Sequence, residues 1–163
     1  MRKITSFVLT IVLIGSFFVF NVTAITEEAT PTVIEFSLTA DIEQTLDIQT
    51  TDMRATGLIL SYGLELRKTG TTLTILGLTD CYLDVVKCGF KDFTIQRRKT
   101  SSDSWEDYYE YGNLYIESTA ANLETTLVVE SGYQYRISCK HYAKKNILSV
   151  QTIANTSNIV TVS

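Results

Sequence analysis

One histidine and three cysteines carry most of the reactive chemistry available to this chain, and Cys139 and His141 stand two positions apart. In a strand both would fall on one face, about 7 Å from each other. A nucleophilic Cys–His pair needs a contact of about 3 Å and a third group to orient the base. No Asn or Asp at recognisable spacing supplies that group. The expectation is a strand histidine that is hydrogen-bonded or solvated, beside a small buried thiol, with no catalytic residue. A lone histidine without Cys-x-x-Cys or His-x-x-x-His gives no zinc site. Asp103, Glu106, Asp107 and Glu110 lack the loop pattern of a calcium site. No glycine-rich phosphate loop or nucleophile elbow is present, so no metal or cofactor is expected.

The three cysteines, Cys81, Cys88 and Cys139, leave one thiol over in any monomer with a single bridge. Cys81 and Cys88 flank a strand connection and suit a hairpin-type disulfide if their Cα atoms lie within about 7 Å. Cys81 with Cys139 would instead tie two central strands across a sandwich, as the inter-sheet disulfide of antibody domains does. The favoured reading is a Cys81–Cys88 bridge with Cys139 buried and reduced.

Aromatic residues gather between 105 and 115: Trp105, Tyr108, Tyr109, Tyr111 and Tyr115, interleaved with Glu106, Asp107 and Glu110. Strict alternation puts the odd-numbered rings on one face and Tyr108 on the other. Flat rings with hydrogen-bonding tips suit sugar stacking or protein contact, which makes these five a candidate binding surface. The competing expectation, given more weight, has Trp105 covering the edge of the core and the tyrosines filling β-prone surface positions.

The elements that would position these groups are strands. Thr71–Thr79 is rich in β-formers, and Phe93–Arg97 alternates apolar with polar. Lys99–Ser104 is a turn before Trp105, and Leu127 and Val129 begin another strand. Tyr133–Tyr142 sets Tyr135, Ile137 and Cys139 on one face, and Ile147–Thr152 and Ile159–Val162 add two short strands around the polar loop Ala154–Asn158. No stretch from Gly57 to Ser163 has a capped 3.6-residue stripe. The pattern predicts an all-β, antiparallel β-sandwich of the immunoglobulin or fibronectin type III kind with about seven strands. Gly132-Tyr133-Gln134-Tyr135 offers a tyrosine corner, with the Tyr135 hydroxyl reaching back to the preceding turn.

Met1-Arg2-Lys3, the apolar run Ile4–Phe20 and small residues to Ala24 read as a signal peptide over 1–24, which predicts a secreted, extracellular chain with no stable membrane insertion after cleavage. Residues 25–55 form an acidic, Thr-rich arm with seven acids against one base, expected to lie outside the core although Thr32–Leu38 partly alternates like a strand. Residues 56–163 form the sandwich domain, with eleven acids and eleven bases. A mixed-sign body without a basic stripe argues against nucleic acid and against an anionic membrane surface.

The order Gly57-x-Ile59-Leu60, Gly63-x-Glu65-Leu66, Gly77-Leu78-Thr79-Asp80-Cys81, Ile95-Gln96-Arg97, Trp105 and Gly132-Tyr133-Gln134-Tyr135-Arg136 with His141 resembles a family of small secreted proteins of Gram-positive, mostly clostridial bacteria. That family is defined by a domain of unknown function. The resemblance covers residues 54–163 and implies a signal peptide followed by one fibronectin- or immunoglobulin-like sandwich, with no activity attached. The Cys88 stretch and the longer leader depart from its pattern, and an anaerobic source would make any disulfide optional. The function expected is non-catalytic binding of a protein or glycan outside the cell, with a bacteriocin-like or inhibitory effector as the alternative.

Overall fold

The computed structural model describes residues 31–40 and 57–163; the expected signal segment 1–24 and most of the expected arm lie outside the described residues. Nine strands follow in chain order: β1 (Thr32–Thr39), β2 (Ile59–Thr69), β3 (Thr72–Cys81), β4 (Lys87–Arg98), β5 (Glu106–Ile116), β6 (Ala120–Val128), β7 (Tyr133–Asn146), β8 (Ser149–Thr156) and β9 (Val160–Val162). They form two antiparallel sheets, ordered β1-β6-β3-β2 and β5-β4-β7-β8, with β9 also on β7. β2, β3 and β6 lie side by side in the first sheet and β4, β7 and β8 in the second, so the antiparallel β-sandwich expected from the sequence is formed. β5 extends the second sheet beyond β4.

Period-two alternation explains the core. Leu73 and Ile75 of β3, Phe93 and Ile95 of β4, and Tyr135, Ile137 and Cys139 of β7 all point into one buried cluster. Each large apolar side chain sealed from water there contributes about 1.5–3 kcal/mol. Gly132, at positive φ, turns the chain into β7, and Tyr135, fully buried, donates its hydroxyl to the Glu130 carbonyl at 2.9 Å. The tyrosine corner is formed.

Three features differ from the sequence reading. Thr32–Thr39, placed in the arm, is an edge strand paired with β6 from Thr32↔Val128 to Thr39↔Asn122. Phe36 stacks on Tyr111 at 5.7 Å, and the buried Thr125 hydroxyl donates to the Glu35 carbonyl. Ile147 and Leu148 do not open a strand; they are the two-residue turn between β7 and β8, and Ala154–Thr156 belongs to β8. Nine strands replace about seven because β1 and β2, neither singled out as a strand of the sandwich in the sequence, occupy the two edges of the first sheet, while the C-terminal stretch forms β8 and β9 along the long β7. At that division Ser157 bonds Ile137 twice, its amide to the Ile137 carbonyl and its hydroxyl from the Ile137 amide.

Distant residues seal β2. The Gln151 side chain accepts from the amides of Leu58 and Ile59, and Asn158 both accepts from the Leu66 amide and donates to the Leu66 carbonyl at 2.8 Å each. These amide groups replace a neighbouring strand that the edge lacks.

Two measurements test this fold. Tyr135→Phe should cost about 1–2 kcal/mol in urea unfolding, because it leaves a buried carbonyl without its donor; an unchanged midpoint would deny the corner. Backbone amides of β1 that pair with β6 should exchange with solvent far more slowly than an unstructured chain. Free exchange there would return residues 32–39 to the arm.

Candidate functional site

His141 is fully buried on the core face of β7, its ring between Tyr62 at 4.8 Å and Phe90 at 5.4 Å. Asn155 accepts the Thr156 amide through its oxygen, so its nitrogen faces His141 Nε2 at 3.2 Å and donates to it. That assigns the proton to Nδ1, which donates to Thr79 Oγ1 at 2.8 Å. The Thr79 hydroxyl then donates to the Gly89 carbonyl at 3.1 Å. Both ring nitrogens are occupied, and burial pushes the imidazole down to about 3. Cys139 is likewise buried, with its thiol pushed up to about 12 by desolvation. A thiol so reluctant to ionise is a poor nucleophile.

Cys81 and Cys88 are brought together as free thiols, both buried. Hydrogen bonding between them, reinforced by burial, raises the Cys81 thiol far above its ordinary value. The structure does not pair Cys81 with Cys139. Among the described residues no three His, Cys, Asp or Glu side chains group as metal ligands.

The aromatic run does not form one strip. Tyr108, Tyr109 and Tyr111 pack against the core, with Tyr111 hydrogen-bonded to Thr125 of the opposite sheet at 3.1 Å. Register shifts opposite Ile95/Gln96 and Phe93/Thr94, together with Gly112 at φ 73°, break the parity that strict alternation assumes. Tyr115 turns outward and meets Tyr142 at 4.5 Å across Gly89. Only glycine fits there: φ is 144°, and a Cβ would stand 2.1 Å from the Leu114 carbonyl oxygen.

Trp105 departs from its expected role. It is half-buried but outside the core, and the guanidiniums of Arg98 and Arg136 each lie over its indole, 4.3 Å from the ring centre. The two strands that carry these arginines explain the placement, because Arg98 and Arg136 both occupy outward positions of neighbouring β4 and β7. Neutral oxygens hold both arginines: Gln134 Oε1 and the Ser101 carbonyl for Arg98, Gln96 Oε1 for Arg136. Burial and the charge of Arg98 lower the Arg136 pKa. Beside them a cleft of about 450 Å³ is lined by Arg97, Arg98, Lys99, Ser104 and Tyr133, with Asp103 and Glu106 on its wall. Arg97 itself is buried, salt-bridged to Glu106 at 2.7 Å and Glu130 at 3.1 Å, and stacked on Tyr108 and Tyr133. Its charge is matched by two carboxylates; Arg98 has Asp103 nearby, whose carboxyl the Thr100 hydrogen bonds and then the charges of Arg98 and Lys99 hold below its ordinary value, and the Arg136 guanidinium is hydrogen-bonded to the neutral Gln96 oxygen.

The sequence shows no basic stripe, yet the sheet assembles one. Outward positions of β4 and β7 hold Lys87, Lys91, Arg98, Arg136, Lys140 and Lys144 against one acid, Asp92, with Lys87 directly opposite Lys144 and Lys91 opposite Lys140. Asp92, at φ 53° in the β4 bulge, answers Lys140 at 2.8 Å. Asp107 and Glu110 of β5 flank the stripe on one side. Cations four to eleven positions apart within a strand, on strands that meet only in the fold, leave no local signal.

The buried imidazole makes a pH prediction. Its folded value lies below the ordinary 6.5, so the unfolded chain binds the proton first and stability is lost as pH falls from 6.5 toward 3. His141→Gln should flatten the stability profile between pH 6.5 and 4.5 by about 1.4 kcal/mol per pH unit. Equal slopes for both proteins would show that the imidazole is not buried in its neutral form.

No protein-family model, curated protein or solved structure matches the chain.

Proposed function

We propose that this chain is an exported, non-catalytic binding domain whose ligand is an acidic glycan or an acidic stretch of a protein, held at the Arg98–Trp105–Arg136 end of the second sheet. The observation that carries the reading is the indole contacted by two guanidiniums whose hydrogen bonds go to amide and carbonyl oxygens, next to an open cleft with Lys99 and Tyr133 on its wall. The guanidinium N–H groups left over from those bonds suit a carboxylate, sulfate or phosphate, and contact with the indole favours the ordered cations. Export rests on the signal reading of residues 1–24, and the kinship with secreted clostridial proteins on the resemblance over 54–163. Support for binding over chemistry comes from Cys139 and His141, both committed to the core.

A sulfated or uronic acid oligosaccharide titrated into the protein should perturb Trp105 emission, and Arg98→Gln with Arg136→Gln should weaken binding at least tenfold without moving the urea midpoint. Salt should weaken the wild type as well. Failure of acidic glycans and acidic peptides alike to bind, or full affinity in the double variant, would overturn the assignment.

A further inference from the structure

Among the described large apolar side chains, the three most exposed all lie at the end of the sandwich away from Trp105. Leu83 in the β3–β4 connection is 94% exposed, and Ile147 and Leu148 in the β7–β8 turn are 84% and 93% exposed. Val86 and Val150 beside them are also exposed. The two tips form one surface, because the Val86 amide donates to the Lys144 carbonyl and Asp84 is salt-bridged to Lys145. A two-residue hairpin turn ordinarily takes Asn, Asp or Gly. Here it carries Ile-Leu, with neither residue at positive φ, so turn geometry does not account for these side chains.

Cations rim the apolar tips. Lys87 and Lys144 face each other across β4 and β7, and Lys145, next along β7, pairs with Asp84. Like charges placed directly opposite destabilise a sheet, so pairing the two lysines does not by itself stabilise the domain. Behind them stand Tyr115 and Tyr142, with Lys87 over the Tyr115 ring at 5.4 Å. Protruding leucines, a collar of lysines and a pair of tyrosines at the rim are the parts of an interfacial anchor: apolar tips enter the acyl boundary, tyrosines sit at headgroup depth, and lysines meet anionic headgroups.

We infer that this tip docks the domain peripherally on an anionic lipid bilayer. Leu83 and Leu148, each more than nine-tenths exposed, stand clear of the domain, which fits a soft surface that parts around them. Charge decides against a second copy of the chain, whose own Lys87, Lys144 and Lys145 would meet these. The inference goes beyond the proposed function, since it uses the opposite end of the sheet. The overall acidity of the chain does not oppose it, because the acids flanking the basic stripe lie on β5 and Asp84 is already paired.

All described strands begin after residue 31, so the chain from Ile25 onward carries the whole sandwich and is the form to test. It should co-sediment with vesicles of phosphatidylcholine and phosphatidylglycerol (about 7:3), and bind pure phosphatidylcholine at least tenfold less well. Leu83→Glu with Leu148→Glu, at solvent-exposed positions, should leave the urea midpoint in place and reduce vesicle binding at least tenfold. Lys87→Gln, Lys144→Gln and Lys145→Gln together should abolish the preference for phosphatidylglycerol. Arg98→Gln with Arg136→Gln should leave vesicle binding within about twofold, which separates this surface from the proposed ligand site. Absence of binding to anionic vesicles, or undiminished binding by the leucine variant, would overturn the inference. So would self-association in sedimentation velocity that the leucine variant removes while vesicles go unbound.

Discussion

A neutral imidazole wedged between two sheets is the constraint around which this sandwich is arranged. His141 receives a hydrogen bond from Asn155 of β8 and gives one to Thr79 of β3, and Thr79 passes the series on to the β4 carbonyl of Gly89. Four strands from both sheets meet at one ring. A buried polar group without partners would cost several kcal/mol, so this series is worth having only when every member is satisfied. A satisfied network in a dry core fixes sheet alignment more sharply than apolar side chains, which tolerate sliding. The same ring packs at a tilt against both Phe90 and Tyr62. What might have been half of a catalytic pair is a joint.

Much of the architecture was legible in the sequence because a half-buried strand writes its own alternation. Phe93–Arg97 and Tyr133–Tyr142 carry it plainly, and the corner of Tyr135 follows from a glycine turn into an aromatic strand. Where the sequence failed, a local rule met a nonlocal cause. β1 is short, acidic and half-exposed, and it becomes a strand only because β6 offers an unpaired edge. Parity across residues 105–115 is lost at bulges that depend on β4, which no count along β5 reveals. Trp105 looked like a core residue since large rings are usually buried; its neighbours are two arginines that are distant in sequence.

Charge follows the same logic. By composition the chain is acidic, with eighteen acids against fourteen bases, and along residues 56–163 the signs are evenly mixed. Folding sorts them. Every second residue of β4 and of β7 faces outward, and those positions contain six cations, while Arg97, the cation pointing inward, is matched by Glu106 and Glu130. Potential over a surface depends on this sorting, and net charge says little about it. A scattered set of lysines can therefore behave as one field.

The clamps on β2 carry a consequence for timing. Gln151 and Asn158 bond to backbone at Leu58, Ile59 and Leu66, more than ninety positions earlier, and β1 finds its partner only in β6. Such topology is slow to close, since each contact must first overcome the entropy of a long loop. The first-made strands have no finished edge until nearly all of the chain is available. At synthesis rates of about 5–20 residues per second, that leaves several seconds in which the polypeptide cannot lock into its sandwich. A translocation channel that accepts only unfolded chains would find this one still open, and assembly would begin as a single event once the last strands had arrived.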